Sequence, residues 1–201
     1  MTFTVILGLP SGFVQPTSIT LDSSTGFSFI STQSGAVYFT PSLNGTASQL
    51  VKTVQPLSSF GWHGLTSLFL TPQFLYATYT SSDGTPSCSD DGTNASFRNP
   101  STVLGCPKFG KLIRWGYDSR SGALSPDPPE DVLGKETICS QFGSNGITQI
   151  IASEGASNTF YISTGAGAND AVNGGTDFGQ YGLAPCKPLG SSFGGHFSSL
   201  E

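Results

Sequence analysis

Short runs of aromatic and β-branched residues recur along this chain, each closed by a polar turn signal. Thr17-Ser-Ile-Thr-Leu21, Phe27-Ser-Phe-Ile-Ser31 and Ala36-Val-Tyr-Phe-Thr40 are separated by Asp22-Ser-Ser-Thr-Gly26 and Gln33-Ser-Gly35. Gln49-Leu-Val-Lys-Thr-Val54 closes the group. The order then returns with Gly64-Leu-Thr-Ser-Leu-Phe-Leu70, Phe74-Leu-Tyr-Ala-Thr-Tyr79 and Gly110-Lys-Leu-Ile-Arg-Trp-Gly116, with Asp131-Val-Leu133 as a short fourth run. A third copy opens at Gly146-Ile-Thr-Gln-Ile-Ile-Ala152 and continues through Thr159-Phe-Tyr-Ile-Ser163. Helical periodicity is absent from all of these stretches, so the pattern predicts an all-β protein.

Ile19 and Leu65 lie 46 residues apart, close to the repeat of roughly 40–50 residues in four-stranded propeller blades. Leu65 and Ile147 lie 82 apart, an excess that one polar, Gly- and Ser-rich insertion at 81–109 explains. Four-stranded sheets of this kind bury both faces when they pack radially around an axis. The pattern therefore predicts a β-propeller of roughly two and a half blades. Blade one covers 16–57, blade two covers 64–140 with its insertion, and an incomplete blade three covers 146–201. A β-sandwich with irregular loops is the alternative architecture. Propellers close with about four to eight blades, so the repeat also predicts a partial domain.

Composition narrows the function classes. Charged residues are 10% of the chain, with 8 Lys+Arg against 13 Asp+Glu and a net charge of −5, whereas roughly 25% charged is usual. With no basic stripe to neutralise phosphates, nucleic-acid binding is excluded as an expectation. No apolar run reaches the roughly 18 residues that a spanning helix needs. Two sequons, at Asn44 and Asn94, and an even count of 4 Cys favour an extracellular or secreted setting. Met1 leads straight into strand-like sequence, which fits either a cytosolic protein or one whose signal peptide is missing from this chain, the reading the secreted setting favours.

Several segments, in shared order, resemble the soluble quinoprotein glucose/sorbosone dehydrogenases, a family that includes the propeller of hedgehog-interacting protein. They are Leu9-Pro-Ser-Gly-Phe13 with Pro16-Thr17, then Gly64-Leu-Thr-Ser-Leu-Phe-Leu-Thr-Pro72, Cys139-Ser-Gln-Phe-Gly-Ser-Asn145 and Phe160-Tyr-Ile-Ser-Thr-Gly-Ala-Gly167. Asp177-Phe-Gly-Gln-Tyr181 with Cys186 follows. The resemblance spans nearly the whole chain and implies the N-terminal half of a six-bladed propeller. It further implies pyrroloquinoline quinone and Ca²⁺ as cofactors, an aldose or sorbosone-type sugar as substrate, and a catalytic histidine that removes a hydroxyl proton. An imidazole suits that step because it titrates near working pH.

In this chain the histidine position is Asn145, whose amide does not titrate in that range. Asn145 keeps the capacity to hydrogen-bond a hydroxyl or a quinone oxygen, while Asn145-Gly146 also reads simply as a turn. A glutamine that lies near the cofactor in some relatives becomes Trp62, whose ring offers a stacking face or a core aromatic. The acidic member of the Thr-Gly-Asp-Gly pattern becomes Ala166. The resemblance thus leaves two functions open. One is a quinone-dependent sugar dehydrogenase-like protein with its base replaced. The other is a non-catalytic extracellular propeller that binds a glycan or a protein.

The remaining candidates are weaker. His63 and His196 are the only histidines and lack a placed carboxylate for a metal site. Asp83, Asp90 and Asp91 form an acidic loop. The stretch 165–170 precedes no helical pattern, so a nucleotide loop is rejected, and no nucleophile elbow is present. Four cysteines allow three connectivities. Blade geometry favours Cys88–Cys106, closing the insertion, and Cys139–Cys186, tying the start of blade three to its later loop. Free thiols are the alternative in a cytosolic setting.

Overall fold

A computed structural model describes residues 15–42, 48–57, 63–81, 109–133, 138–139, 147–152, 159–164 and 197–200. Their regular structure is entirely β and forms three antiparallel sheets. The first is a meander of β1 (Pro16–Leu21), β2 (Ser28–Thr32), β3 (Ala36–Thr40) and β4 (Gln49–Thr53), paired in chain order. In the second, β5 (Leu65–Leu70) pairs with β6 (Phe74–Ser81), and β6 with the long β7 (Phe109–Asp118). The third consists of β11 (Ile147–Ala152), β12 (Phe160–Thr164) and β13 (Phe197–Leu200).

The fourth-strand place of the second sheet differs from the single run expected at 131–133. Three two-residue strands share the free edge of β7: β8 (Ala123–Leu124), β9 (Glu130–Asp131) and β10 (Ile138–Cys139). Pro126, Pro128 and Pro129 separate β8 from β9, and a proline has no N–H to give to a ladder. The edge is therefore stitched in pieces.

A bulge recurs at one place in each first strand. Thr17 is the extra residue between the pairs Pro16–Thr32 and Ser18–Ser31. Thr66 sits likewise between Leu65–Tyr79 and Ser67–Thr78, and Thr148 between Ile147–Thr164 and Gln149–Ser163. This aligns the sheets as Thr17, Thr66 and Thr148, with Ile19, Leu68 and Ile150 equivalent. The sequence spacing from Ile19 to Leu65 was three positions out of phase, because the register equivalent of Leu65 and Ile147 in the first sheet is Pro16 rather than an aliphatic residue.

Each sheet consequently has a backward face, toward the preceding sheet, and a forward face, toward the next. The forward residues Phe29 and Val37 of the first sheet join Leu68, Leu75, Ala77, Ile113 and Trp115, from the backward face of the second, in one core. Tyr76 and Leu112, on the forward side of the second sheet, pack with Ile147, Ile150, Phe160 and Ile162 of the third in another. Aromatic contacts repeat the arrangement. Phe29 meets Tyr117 edge-on at 5.7 Å between centroids, and its register equivalent Tyr76 meets Phe160 at 4.9 Å. Sheets stacked face to face about their first strands are the packing of a β-propeller.

Candidate functional site

In a propeller, the chain entries to the innermost strands surround the axial site. Here β1, β5 and β11 touch in succession, which makes them the inner strands. Their starts are locked side by side by the bulge threonines. Thr17 Oγ1 donates to the Leu65 carbonyl at 2.7 Å, and Thr66 Oγ1 donates to the Ile147 carbonyl at 2.6 Å. A bulge points an additional side chain out of the ladder, and the hydroxyl uses that freedom to reach the next strand's main chain. Ser18 Oγ adds a third link, accepting the Leu68 N–H at 3.1 Å.

The entry to β5 is further held by the β2–β3 turn. Gln33 Nε2 donates to the His63 carbonyl at 2.8 Å, and the Leu65 N–H donates to the Gln33 carbonyl at 3.2 Å. Gly64 adopts φ +125°, with its carbonyl accepting the Thr80 N–H at 3.0 Å. A Cβ at Gly64 would lie 2.4 Å from the Gln33 carbonyl oxygen, so the close approach requires glycine. His63 itself is 2% exposed, a core histidine rather than one facing substrate. Among the described residues no three His, Cys, Asp or Glu side chains come together to hold a metal ion.

Most of the residues singled out from sequence lie outside the described residues: Trp62, Asn145, Ala166, His196, Asn44, Asn94, Cys88, Cys106, Cys186 and the acidic loop at 83–91. Cys139 is placed in β10 opposite Phe109. Trp62 precedes β5 by three positions and Asn145 precedes β11 by two. The strand entries they lead into are the two that Thr17 and Thr66 fix. Sequence reasoning missed those two threonines, although the shared threonine after each apolar strand opening was a signal for them.

A cavity of about 310 Å³ opens between the outer parts of the first two sheets, lined by Lys52, Gln55, Tyr79, Trp115, Asp127 and Pro129 among others. Its one ammonium is already engaged, since Lys52 Nζ donates to the Ser125 carbonyl at 2.6 Å. That bond ties β4 to the segment after β8.

The fold defines a β-propeller built from sheets with threonine-linked inner strands. Solved structures similar to this fold include sugar dehydrogenases. A glucose dehydrogenase crystal structure matches 79% of this chain and 40% of its own, with a TM-score of 0.55 at 11% identity. A second glucose dehydrogenase gives 78% and 42%, a TM-score of 0.54 and 10% identity. The soluble aldose sugar dehydrogenase of Escherichia coli, in its apo-form, gives 77% and 39%, with 0.53 and 11%. The chain spans about two fifths of the length of these proteins. No family model matches the sequence. No curated protein matches it significantly either.

Proposed function

We propose that this chain is part of a sugar dehydrogenase-like propeller that retains sugar recognition at its axial end and has lost the family's own general base. The observation that supports this most directly is the side-by-side locking of the β5 and β11 entries in a fold shared with glucose dehydrogenases. Asn145, two residues before β11, takes the place where the resemblance expects the histidine. Its amide donates to and accepts from a sugar hydroxyl but carries no proton away. His63 offers no substitute, being buried.

Pyrroloquinoline quinone with Ca²⁺, which the resemblance implies, would supply a hydride acceptor when bound. The described residues do not fit the Ca²⁺ part of that pair. Asp22, Asp118 and Asp127 bind neighbouring hydroxyls, while Glu130 and Asp131 bind Arg114 and Lys111.

The non-catalytic reading, an extracellular propeller that binds a glycan or protein, is favoured by the same Asn145. The two readings separate in one experiment. The chain is titrated with aldose sugars by calorimetry, then assayed for dye reduction with the quinone and Ca²⁺, alongside Asn145→His. Sugar binding without turnover is the expected result for the 201-residue chain, and turnover that appears in Asn145→His supports the loss of the base. Turnover by the unaltered chain overturns the loss of the base. Failure to bind any sugar overturns sugar recognition and leaves a protein partner.

A further inference from the structure

The cavity of about 310 Å³ between the first two sheets combines an apolar floor with a rim that carries opposite charges. Val54, Tyr79, Ile113 and Trp115 supply the floor, and none is more than 7% exposed. Lys52 reaches the rim from β4 and Asp127 from the segment between β8 and β9. One residue fixes both charges. The Ser125 carbonyl accepts from Lys52 Nζ at 2.6 Å, and the Ser125 hydroxyl donates to Asp127 Oδ2 at 2.9 Å. That hydroxyl also accepts the Asp127 N–H at 3.2 Å, while Pro126, Pro128 and Pro129 stiffen the backbone on either side. Lys52 and Asp127 nevertheless form no ion pair with each other, unlike Lys111–Asp131 and Arg114–Glu130. Lys52 is half-buried, and its ammonium bonds a neutral carbonyl. An ammonium has three N–H donors and a carboxylate two oxygens, so each charge keeps bonding capacity beside the cavity.

We propose that this cavity binds a free α-amino acid with an apolar side chain. Its carboxylate would meet Lys52, its ammonium Asp127, and its side chain the floor. A mostly apolar pocket of roughly 300 Å³ or more, with a few placed polar groups, suits a small molecule. Charge-assisted hydrogen bonds are roughly twice as strong as neutral ones, so a zwitterion uses this rim better than a neutral sugar does. A half-buried ammonium without a counter-charge gains most from an incoming carboxylate. Ser125 holds both charges in place before the ligand arrives, which lowers the cost of ordering them. The inference is independent of the proposed sugar chemistry at the axial end.

Calorimetric titration of the full-length protein that carries this chain, with L-leucine as the probe, tests it. Saturable binding is expected, weakened tenfold or more by Lys52→Met and by Asp127→Asn. Asp127→Asn keeps an acceptor for the Ser125 hydroxyl, so it separates lost charge from lost structure. Leucinamide lacks the carboxylate and N-acetylleucine the ammonium. Each should bind the unaltered protein at least tenfold more weakly than leucine, a comparison that no folding defect can affect. No leucine binding at millimolar concentration overturns the proposal, as does binding that survives both variants. Glucose that competes with leucine, and that Asp127→Asn weakens, overturns it in favour of a sugar pocket. Glucose binding that Asp127→Asn leaves unchanged belongs to another site and keeps the two readings apart.

Discussion

Thr66 Oγ1 donates to the carbonyl of Ile147 at 2.6 Å, across the boundary between the second and third sheets, and Thr17 makes the same bond to Leu65 one sheet earlier. In each case a bulge residue, free of its own ladder, supplies a hydroxyl to the first residue of the next inner strand. Thr66→Val keeps the shape and removes the donor, leaving the Ile147 carbonyl without this partner. An intramolecular hydrogen bond contributes about 0.5–1.5 kcal/mol net, and an acceptor left unsatisfied costs about 1–3 kcal/mol. Thr66→Val is expected to lower the thermal midpoint by several degrees, with Thr66→Ser recovering most of the loss. A valine variant as stable as the parent would show that the bond carries no weight.

A second inter-sheet bond responds to pH. Tyr117 Oη, on β7, donates to Asp22 Oδ2, in the β1–β2 turn, at 2.8 Å. Burial first, and then the bond to Asp22, push the Tyr117 phenol from 10.0 up to about 12. A raised phenol binds its proton more tightly when folded, so its stabilisation is complete below pH 10 and is lost as pH rises through about 12. The Ser24 hydroxyl, then Tyr117, hold the Asp22 carboxyl at about 2 rather than 3.8. That contribution has the opposite sense: it is present above 3.8 and lost as pH falls through about 2. Urea midpoints measured against pH should fall at both extremes, and Tyr117→Phe should flatten the alkaline limb. An unchanged alkaline limb in Tyr117→Phe would assign that loss to other groups.

Two register-equivalent aromatics differ in burial and should differ in weight. Phe29 is fully buried between the first two sheets and meets Phe39 and Tyr117. Phe29→Ala removes a ring from a close-packed core and is expected to cost about 3–5 kcal/mol. Tyr161→Ala, at the same register place but 41% exposed, should cost the isolated chain much less. Chemical denaturation of both variants at low protein concentration checks the ranking. Equal losses would mean that the register equivalence does not carry over to packing.

The strand order of the first two sheets and the start of the third were legible because alternating aromatic and β-branched residues survive in almost every strand. Phase was harder to read. The register equivalent of Leu65 and Ile147 in the first sheet is Pro16, so matching Ile19 to Leu65 by hydrophobicity misaligned the repeat. The split edge beside β7 was also hidden, because strands two residues long such as Glu130–Asp131 carry no periodicity. Of the candidate site, the sequence pointed at Trp62 and Asn145 through family resemblance. What positions the strands after them is a pair of ordinary threonines. Their roles depend on main-chain carbonyls 48 and 81 residues away, a relationship that no local pattern encodes.

Two glycines with positive φ separate backbone strain from collision. Gly26, in the β1–β2 turn, has φ +79° and open space where a Cβ would sit. Gly26→Ala therefore incurs only the left-handed penalty, about 1–2 kcal/mol. Gly64 has φ +125°, and its Cβ would meet both the Gln33 carbonyl oxygen at 2.4 Å and the Gln33 Cγ at 2.6 Å. The carbonyl is main chain and already accepts the Leu65 N–H, while the Gln33 side chain is committed to the His63 carbonyl. Neither can withdraw without releasing the clamp on the β5 entry. Gly64→Ala is thus expected to lower the urea midpoint well beyond Gly26→Ala. It should also accelerate amide exchange at Leu65, whose N–H depends on the Gln33 carbonyl, while Asp22 and Gly26 in the distant turn stay protected. A Gly64→Ala protein no less stable than Gly26→Ala would mean that the β2–β3 turn yields freely and does not set the strand entry.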